Sequence, residues 1–367
     1  MTTSLQRTPL YETHVSLGGR MVPFAGWEMP VQYPQGILAE ARAVRSKSGI
    51  FDVSHMGRIF VEGADAQALL DWVNTGDIGP EMPLSRARYG LLCNEDGGII
   101  DDCIIYRLSE QRYLLVANAS NTPEVLTWVT RWRDERFPNV TLDDATNRIA
   151  MIALQGPEAT ALMATLSDFD PAATRHFRIV EATIQGKQAL VGRTGYTGED
   201  GVEIMPASAD AAWLWGLLME HGAMPAGLGA RDVLRLEAAL PLHGNDISPK
   251  TNPLEAGLER FIALDKGDFC GGVALRAIQA SGPARQLVGF QTIEKGALPR
   301  AHSGIVVDGQ RVGEVSSGGY SPTLDRNIGL GYVPAQSVSP GSRIQVDVRG
   351  NLIDAEVVRT PFYSRPR

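Results

Sequence analysis

The chain has 367 residues, 44% of them hydrophobic, and a formal net charge of -8. This length predicts two or three domains with sizeable cores, and the acidic balance argues against nonspecific binding to nucleic acid or to anionic membranes. The three cysteines lack the spacing of a metal site or a disulfide framework, so free thiols in a reducing compartment are expected. The sequence has no apolar signal core and no run long enough to span a bilayer, which predicts a cytoplasmic protein.

The amino-terminal part of the chain predicts short elements around an aromatic segment. Residues 8–14 open a short helix, residues 36–46 have a helical pattern, and residues 21–30 are interpreted as an irregular aromatic segment. In residues 51–56 the histidine, His55, shares one face of the run with apolar side chains. Because no second histidine lies nearby to complete a metal pair, we interpret it as a buried core residue.

A small α+β unit with an antiparallel sheet is predicted between residues 58 and 137. Its elements are helices over residues 63–73 and 124–133 and strands over residues 88–92, 99–106 and 113–118. A polar turn with a Gly-Gly pair joins the first two of these strands, so they should form a hairpin.

The remaining chain predicts first a mixed and then an all-β region. The mixed region has strands over residues 149–154, 190–193 and 202–204. Its helices are one that residues 155–158 cap and that runs to about residue 166, one over residues 209–220, and one that follows a loop within residues 227–238. The glycine-rich residues 194–201 are typical of a hairpin turn and lack the GK[ST] of a P-loop. From about residue 286 the chain has short β-rich runs separated by Gly, Pro and Asp turns, which are typical of a barrel or sandwich. These runs are residues 287–291, 304–307, 311–316, 328–333, 343–348 and 352–358.

Two neighbouring carboxylates, Asp101 and Asp102, lie inside the β-branched run that follows the Gly-Gly turn. Side chains of a strand alternate faces, so the two acids should point to opposite sides of the sheet, each among apolar neighbours. Burial of an unpaired carboxylate is costly, and a polar partner must compensate at least one of them. The run by itself leaves open whether such an acid caps the turn, meets an arginine, or serves a functional site.

Several common catalytic motifs are absent from the sequence, namely HExxH, GxSxG, a GxGxxG opening a βαβ unit, and a Walker loop. Proteases, hydrolases with a nucleophile elbow and nucleotide enzymes are therefore disfavoured. The polar residues that remain at strand ends and loops are Asp101, Asn118, Tyr196, Glu203 and Arg231. An arginine binds a carboxylate, a tyrosine offers a stacking surface, and a glutamate accepts paired hydrogen bonds from an amino-heterocycle. This set fits an anionic, ring-containing small molecule.

Several stretches, in order along nearly the whole chain, resemble the aminomethyltransferases, the T-proteins of glycine cleavage systems. They are MVPFAGW at residues 21–27, FDVSHM at 51–56, GGIIDD at 97–102, GYTGEDGVEI at 195–204, GARDVLRLE at 229–237, RAHS at 300–303 and the SSG…SP pattern at 316–322. One local difference is FCGG at residues 269–272, where many members of the family have Phe-Ile-Gly-Arg.

The resemblance implies a reaction, its partners and a set of site residues. The methylene of an aminomethyl group passes from the lipoyl arm of the H-protein to tetrahydrofolate, giving 5,10-methylenetetrahydrofolate, ammonia and dihydrolipoyl H-protein, and no metal is required. Asp101 stands at the position of the family's key acid, and Glu203 and Arg231 stand at positions of its folate site. Further positions around the folate ring are matched by Met56, Tyr89, Asn118, Tyr196 and Arg365.

The same resemblance implies an α+β fold of three domains around a central folate cavity. A discontinuous α+β domain takes residues 1–51 and 138–250, and an inserted ferredoxin-like domain with an antiparallel sheet takes residues 52–137. A connecting segment covers residues 251–285, and a jelly-roll-like C-terminal β-barrel covers residues 286–367.

Three other functions remain open at this point. A related folate-dependent methyltransferase or demethylase would share the architecture but take a methyl group from a sulfonium or an amine. A non-enzymatic folate-binding protein of iron–sulfur assembly would carry a Lys-Gly-Cys-Tyr-type motif, whereas residues 266–270 read KGDFC. A domain of a flavin-dependent amine dehydrogenase would belong with a dinucleotide-binding segment, which the sequence lacks.

Overall fold

The computed structural model describes residues 4–294 and 296–366, which form two compact units. The first unit holds the chain up to Leu92 together with Asp101–Gly195 and Glu199–Arg231. The second unit holds Cys93–Ile100, Tyr196–Gly198 and the chain from Asp232 onward. The domain boundaries expected from the sequence stay a prediction.

Helices and strands alternate up to the last third of the chain, where strands take over. The α-helices are α1 (Tyr11–Ser16), α2 (Ile37–Ser46), α3 (Ala66–Val73), α4 (Thr122–Arg136), α5 (Ala159–Leu166), α6 (Ala211–Glu220), α7 (Leu228–Glu237) and α8 (Gly272–Ser281). The strands are β1 (Gln6–Arg7), β2 (Arg20–Phe24), β3 (Trp27–Gln32), β4 (Gly49–Asp52), β5 (Gly57–Glu62), β6 (Ala87–Cys93), β7 (Ile99–Arg107), β8 (Arg112–Ala117), β9 (Thr141–Asp144), β10 (Ile152–Gln155), β11 (Ile179–Ile184), β12 (Lys187–Gly192), β13 (Gly201–Pro206), β14 (Met224–Pro225), β15 (Arg285–Thr292), β16 (Gly304–Val307), β17 (Gln310–Ser321), β18 (Arg326–Pro334), β19 (Arg343–Val348) and β20 (Asn351–Val358).

A six-stranded sheet in the first unit has the order β11-β12-β13-β10-β4-β14. Neighbouring strands are antiparallel except β4 and β14, which run parallel. Buried side chains of this sheet, including Ile152 and Ile204, form one core with Trp215 of α6. The pairing of β12 with β13 confirms that the glycine-rich segment between them connects a hairpin.

A five-stranded sheet has the order β6-β7-β8-β5-β9. The pairs β7–β8, β8–β5 and β5–β9 are antiparallel, and α3 and α4 provide the crossovers after β5 and β8. Strands β7, β8, β5 and β9 therefore have the ferredoxin-like arrangement, with β6 added at one edge. The α+β unit predicted between residues 58 and 137 is confirmed.

The side chain of Asn94 stabilises the turn between β6 and β7, in which it lies. The Oδ1 atom of Asn94 accepts hydrogen bonds from the backbone N–H groups of Asp96 at 3.1 Å and Gly98 at 2.8 Å. Gly97 has a φ of 84°, a conformation that favours glycine. A Cβ at Gly98 would lie 2.1 Å from the carbonyl oxygen of Pro249, so the second glycine permits a close backbone approach. Strand β7 begins immediately after this turn.

Residues 21–30 form strands, so the irregular segment predicted there is wrong. Strands β2 and β3 pair in a hairpin with Ala25 and Gly26 at its turn, at φ values of 50° and 83°. The proline at position 23 lies on the edge strand β2 of the β1-β3-β2 sheet, and Pro30 lies next to a register shift at Met21. Edges and bulges are the places where strands tolerate proline, so the two prolines did not prevent pairing.

The carboxyl-terminal strands close into a barrel with the order β15-β18-β17-β16-β19-β20. Its interior contains Phe290, Ile305, Val346 and Val357 among other apolar side chains. Each β-rich run predicted after residue 286 is a strand of this barrel, and the predicted α+β class with a C-terminal β-barrel is confirmed.

The three cysteines, Cys93, Cys103 and Cys270, are buried thiols that form no disulfide in the part of the chain that the structure describes. Over residues 4–294 and 296–366, no helix is both long enough and apolar enough to cross a membrane.

Candidate active site

Asp101 is fully buried near the start of β7 and is held by asparagine donors. The backbone N–H of Asn118 donates to Oδ2 at 2.9 Å, and the side-chain amide of Asn118 donates to Oδ1 at 2.8 Å. The amide of Asn121 donates to the same Oδ1 at 2.6 Å. The polar compensation that burial requires therefore comes from the segment after β8, and these donors carry no formal charge.

The pKa of Asp101 is raised from 3.8 to about 8. Burial is the largest cause, because it penalises the charged carboxylate, and the negative charge of Asp102 acts in the same direction. The hydrogen bonds from Asn118 and Asn121 act in the opposite direction and are outweighed. A carboxyl group with this pKa can accept or release a proton near neutral pH, which is the range required of a general acid or base.

Asp102 is half-buried, in contrast to its neighbour, as the alternation of β7 predicts. Its Oδ2 accepts a hydrogen bond from the hydroxyl of Tyr89 at 3.0 Å. The amide of Asn118 also reaches Oδ1 of Asp102 at 2.8 Å and its carbonyl oxygen at 3.0 Å. Asn118 follows the end of β8 and thus contacts both acids, which strand alternation alone did not predict.

A second polar group surrounds Glu203 of β13, which is 6% exposed. Its Oε2 accepts a hydrogen bond from the hydroxyl of Thr194 at 2.5 Å, and the hydroxyl of Tyr106 lies 2.6 Å from that of Thr194. Burial raises the pKa of Glu203 above its usual value, and the hydrogen bond from Thr194 and the positive charge of Arg231 reduce this rise without cancelling it. Arg231 lies half-buried on α7 and interacts electrostatically with Glu203.

The other residues predicted from the sequence lie in different surroundings. Met56 is half-buried, and its carbonyl oxygen accepts a hydrogen bond from the Arg58 guanidinium. Tyr196 belongs to the second unit, where its hydroxyl donates to the carbonyl of Pro241. Arg365 is a half-buried residue of the second unit.

Three residues of these groups escaped the sequence analysis. Asn121 ends the short 3-10 helix Ala119–Asn121, so its position three residues after Asn118 could have suggested a second donor. Thr194 and Tyr106 meet across 88 positions of sequence, and no local pattern indicates such a contact.

His55 is buried, as the sequence predicts, and burial lowers its pKa to about 4. In the part of the chain that the structure describes, no group of three or more His, Cys, Asp or Glu side chains could hold a metal ion.

Two family models match the chain, the GCVT N-terminal domain over residues 10–266 and the glycine cleavage T-protein C-terminal barrel domain over residues 285–364. The aminomethyltransferase of Symbiobacterium thermophilum is 47% identical over 380 residues, covering 100% of this chain and 99% of that protein. The chain belongs to the aminomethyltransferase family of the glycine cleavage system. The aminomethyltransferase of Bacillus subtilis is 42% identical and covers 98% of this chain and 100% of its own length.

A solved structure agrees with this assignment. The glycine cleavage system aminomethyltransferase T from Bartonella henselae matches with a TM-score of 0.92 at 36% identity and covers 98% of each chain. The resemblance drawn from the sequence is confirmed, and the chain is an enzyme, an aminomethyltransferase of the glycine cleavage system.

Proposed function

We propose that this aminomethyltransferase moves the methylene of an aminomethyl group from the lipoyl arm of the H-protein to tetrahydrofolate. The products are 5,10-methylenetetrahydrofolate, ammonia and dihydrolipoyl H-protein. The observation that carries the proposal is the match to glycine cleavage aminomethyltransferases, which extends over the whole chain at 47% identity in the relative from S. thermophilum. The predicted cytoplasmic location and the absence of nucleic-acid partners stay predictions.

The reaction balances without an oxidant. The methylene carbon loses its bonds to the lipoyl sulfur and to the amino nitrogen and gains bonds to two folate nitrogens. The two protons that those nitrogens carried leave with ammonia and with the dihydrolipoyl thiol. Catalysis therefore needs positioning of a ring nitrogen against the methylene carbon and management of protons, two tasks for which side chains suffice.

In this proposal Asp101 manages charge at the reacting atoms. Its raised pKa, about 8, makes the carboxyl able to take up a proton from an attacking nitrogen. In its ionised form the same group stabilises a developing iminium cation. Asn118 and Asn121 fix the carboxyl in one orientation through the hydrogen bonds described above.

Recognition of tetrahydrofolate falls to the other predicted residues. Glu203 accepts hydrogen bonds from the amino-heterocycle, and Arg231 supplies positive charge beside it. The remaining folate-binding positions are assigned to Met56, Tyr89, Asn118, Tyr196 and Arg365. No metal is assigned a role.

The test supplies the aminomethylated H-protein with and without tetrahydrofolate and measures ammonia and methylenetetrahydrofolate. We expect release of both products to require the folate acceptor. A methyl donor such as a sulfonium or a methylamine serves as the matched alternative substrate. Transfer from that donor, without ammonia release from the aminomethylated carrier, would assign the chain to the related methyltransferases instead.

A further inference from the structure

Glu203 ends a hydrogen-bonded series of three side chains that come from three different segments of the fold. Tyr106 lies on β7 and is fully buried, Thr194 lies two residues beyond β12, and Glu203 lies on β13. The hydroxyl oxygens of Tyr106 and Thr194 are 2.6 Å apart, and the Thr194 hydroxyl is 2.5 Å from Oε2 of Glu203. Each of these distances is that of a strong O–H···O hydrogen bond.

The number of hydrogens on each group determines which group donates and which accepts in these two hydrogen bonds. The hydroxyl of Thr194 has a single hydrogen, and it donates that hydrogen to Oε2 of Glu203. Tyr106 must therefore donate to Thr194, because Thr194 has no second hydrogen to offer. The reverse direction would require a proton on Glu203 itself. The order Tyr106 to Thr194 to Glu203 therefore belongs to the ionised form of Glu203, which can only accept.

The surroundings of Thr194 hold the three hydrogen-bonded side chains in place. The amide of Gln155 donates to the carbonyl oxygen of Thr194 at 3.1 Å. A Cβ at Gly192 would lie 2.8 Å from the hydroxyl oxygen of Tyr106 and 3.1 Å from that of Thr194. A Cβ at Gly195 would lie 1.9 Å from Oε1 of Gln155. Two glycines and one buried amide therefore leave space for this arrangement and fix the threonine between its partners.

We propose that Tyr106 and Thr194 are positioning residues that hold Glu203 as a fixed hydrogen-bond acceptor and thereby select ring ligands that present N–H donors. They act on Oε2, so Oε1 can accept from the ligand. The ligand class is an amino-substituted nitrogen heterocycle such as a reduced pteridine, and the inference rests on the proposed function. A ring that offers an acceptor in place of the N–H donor would face the ionised carboxylate unfavourably.

Besides the hydroxyl of Thr194, two charged or titratable residues affect the protonation of Glu203. Arg231 on α7 favours the ionised carboxylate through its positive charge, and Tyr106 on β7 favours it through Thr194, to which its hydroxyl donates. Burial opposes both, since it favours the neutral acid. Removal of Tyr106 or Thr194 hydroxyl groups must therefore raise the pH below which Glu203 becomes protonated and stops accepting.

The experiment measures the tetrahydrofolate dissociation constant by calorimetry across a range of pH. The variants are Tyr106→Phe and Thr194→Val, which remove one hydroxyl each, and Thr194→Ser, which keeps it. Tyr113→Phe is the matched control, because the buried hydroxyl of Tyr113 on β8 has no hydrogen-bond partner among the residues that the structure describes. Circular dichroism establishes that each variant is folded.

We expect Tyr106→Phe and Thr194→Val to weaken binding about tenfold, as loss of a hydrogen bond to a charged group does. The pH below which binding is lost, which we call the acid limit of binding, should also be higher in these two variants. Thr194→Ser should restore both properties, and Tyr113→Phe should leave them unchanged. A purely structural role for the hydroxyls would lower stability but would not move the acid limit. Binding by Tyr106→Phe and Thr194→Val that equals the Tyr113→Phe control at every pH would overturn the proposal.

A ligand-free measurement separates this proposal from the proposed function. The carboxyl carbon of Glu203 is followed by NMR in protein labelled with ¹³C-glutamate, with Glu203→Gln used to assign its resonance. The Glu203 titration should lie at higher pH in Thr194→Val than in Thr194→Ser. If the wild-type protein fails to bind tetrahydrofolate although this titration shifts as expected, the function fails and the positioning role stands. An unshifted titration refutes the positioning role whatever the ligand.

Discussion

The pKa of a buried carboxylate depends on the balance between burial and the groups around it. This protein contains one buried carboxylate whose pKa is raised and one whose pKa is lowered. Asp101 is met by the amides of Asn118 and Asn121, and burial dominates, so its pKa rises to about 8. Burial acts to raise the pKa of Asp52 as well, but His14, together with hydrogen bonds from Thr8 and from the backbone of Ser54, outweighs it and holds the pKa at about 2. Burial and the charge of Asp102 thus keep Asp101 able to exchange a proton despite its asparagine donors, whereas the partners of Asp52 keep that residue ionised.

The first residue-scale prediction compares Asp101→Asn with Asp102→Asn. Asp101→Asn should lower kcat by at least about 100-fold with tetrahydrofolate still bound, because the amide keeps the shape but loses proton exchange and charge. Asp102→Asn should lower kcat less. It removes a negative charge that raises the pKa of Asp101, so the step in the pH–rate profile that reports Asp101 should move to lower pH. Equal losses and unmoved profiles would indicate that both acids are structural.

A second prediction concerns Arg231→Ala. Tetrahydrofolate binding should weaken by about 1.5–3 kcal/mol, the range for loss of a charge-assisted contact. The rate of the bound complex should change less than the dissociation constant, because we assign Arg231 to recognition. Arg7→Ala, at a residue whose salt bridge with Glu28 is largely exposed, serves as the control for loss of positive charge. An unchanged folate dissociation constant would remove Arg231 from the site.

Sequence reasoning reached the first acid but not the complete site. Alternation within residues 99–106 predicted different surroundings for Asp101 and Asp102, and Asp101 is fully buried whereas Asp102 is half-buried. Asn121 and the pair formed by Tyr106 and Thr194 were missed, because their roles depend on contacts between segments distant in sequence. The alternation of side chains within a single segment carries no information about such contacts.

At the scale of elements, long periodic segments were predicted well and the early hairpin was not. The barrel strands were identified because turn residues separate their β-rich runs clearly. In residues 21–30, two prolines and the Ala-Gly turn hid the strands β2 and β3. The turn itself is unusual, since Ala25 has a φ of 50° where Asn or Gly is preferred.

This turn gives an element-scale prediction. Ala25→Asn would create an Asn-Gly turn and should stabilise the protein by roughly 0.5–1 kcal/mol, because asparagine tolerates positive φ better than alanine. Calorimetric unfolding should show a higher midpoint. Ala64→Asn, at an exposed alanine outside the positive-φ set, provides the control and should not raise the midpoint. A midpoint for Ala25→Asn at or below that of the wild type would contradict the strain argument.

At the scale of the whole molecule, the full-length match to aminomethyltransferases points to a reaction with a macromolecular carrier. In the reaction that we propose, the carrier stays at the surface while its flexible lipoyl arm delivers the reacting carbon. Docking makes the approach of that arm intramolecular, which raises its effective concentration. The protein surface should therefore contribute to rate separately from the residues around Asp101.

The corresponding prediction uses two forms of the same donor. Free aminomethylated dihydrolipoamide should react much more slowly than the same group on the H-protein. At subsaturating carrier, turnover with the H-protein should fall as salt rises, because charged surface groups guide docking. The free small molecule should show little salt dependence and serves as the control. Equal efficiencies with identical salt responses would contradict the H-protein partnership.

The division of the chain into two units has a consequence for optical spectroscopy. All six tryptophans, at positions 27, 72, 128, 132, 213 and 215, lie in the first unit, and Trp215 is fully buried against the ring of His14. Emission excited selectively in tryptophan therefore follows that unit alone, whereas far-ultraviolet circular dichroism also registers the barrel strands. Recorded along one denaturant titration, the two curves coincide if the chain unfolds in a single step and separate if the barrel melts on its own.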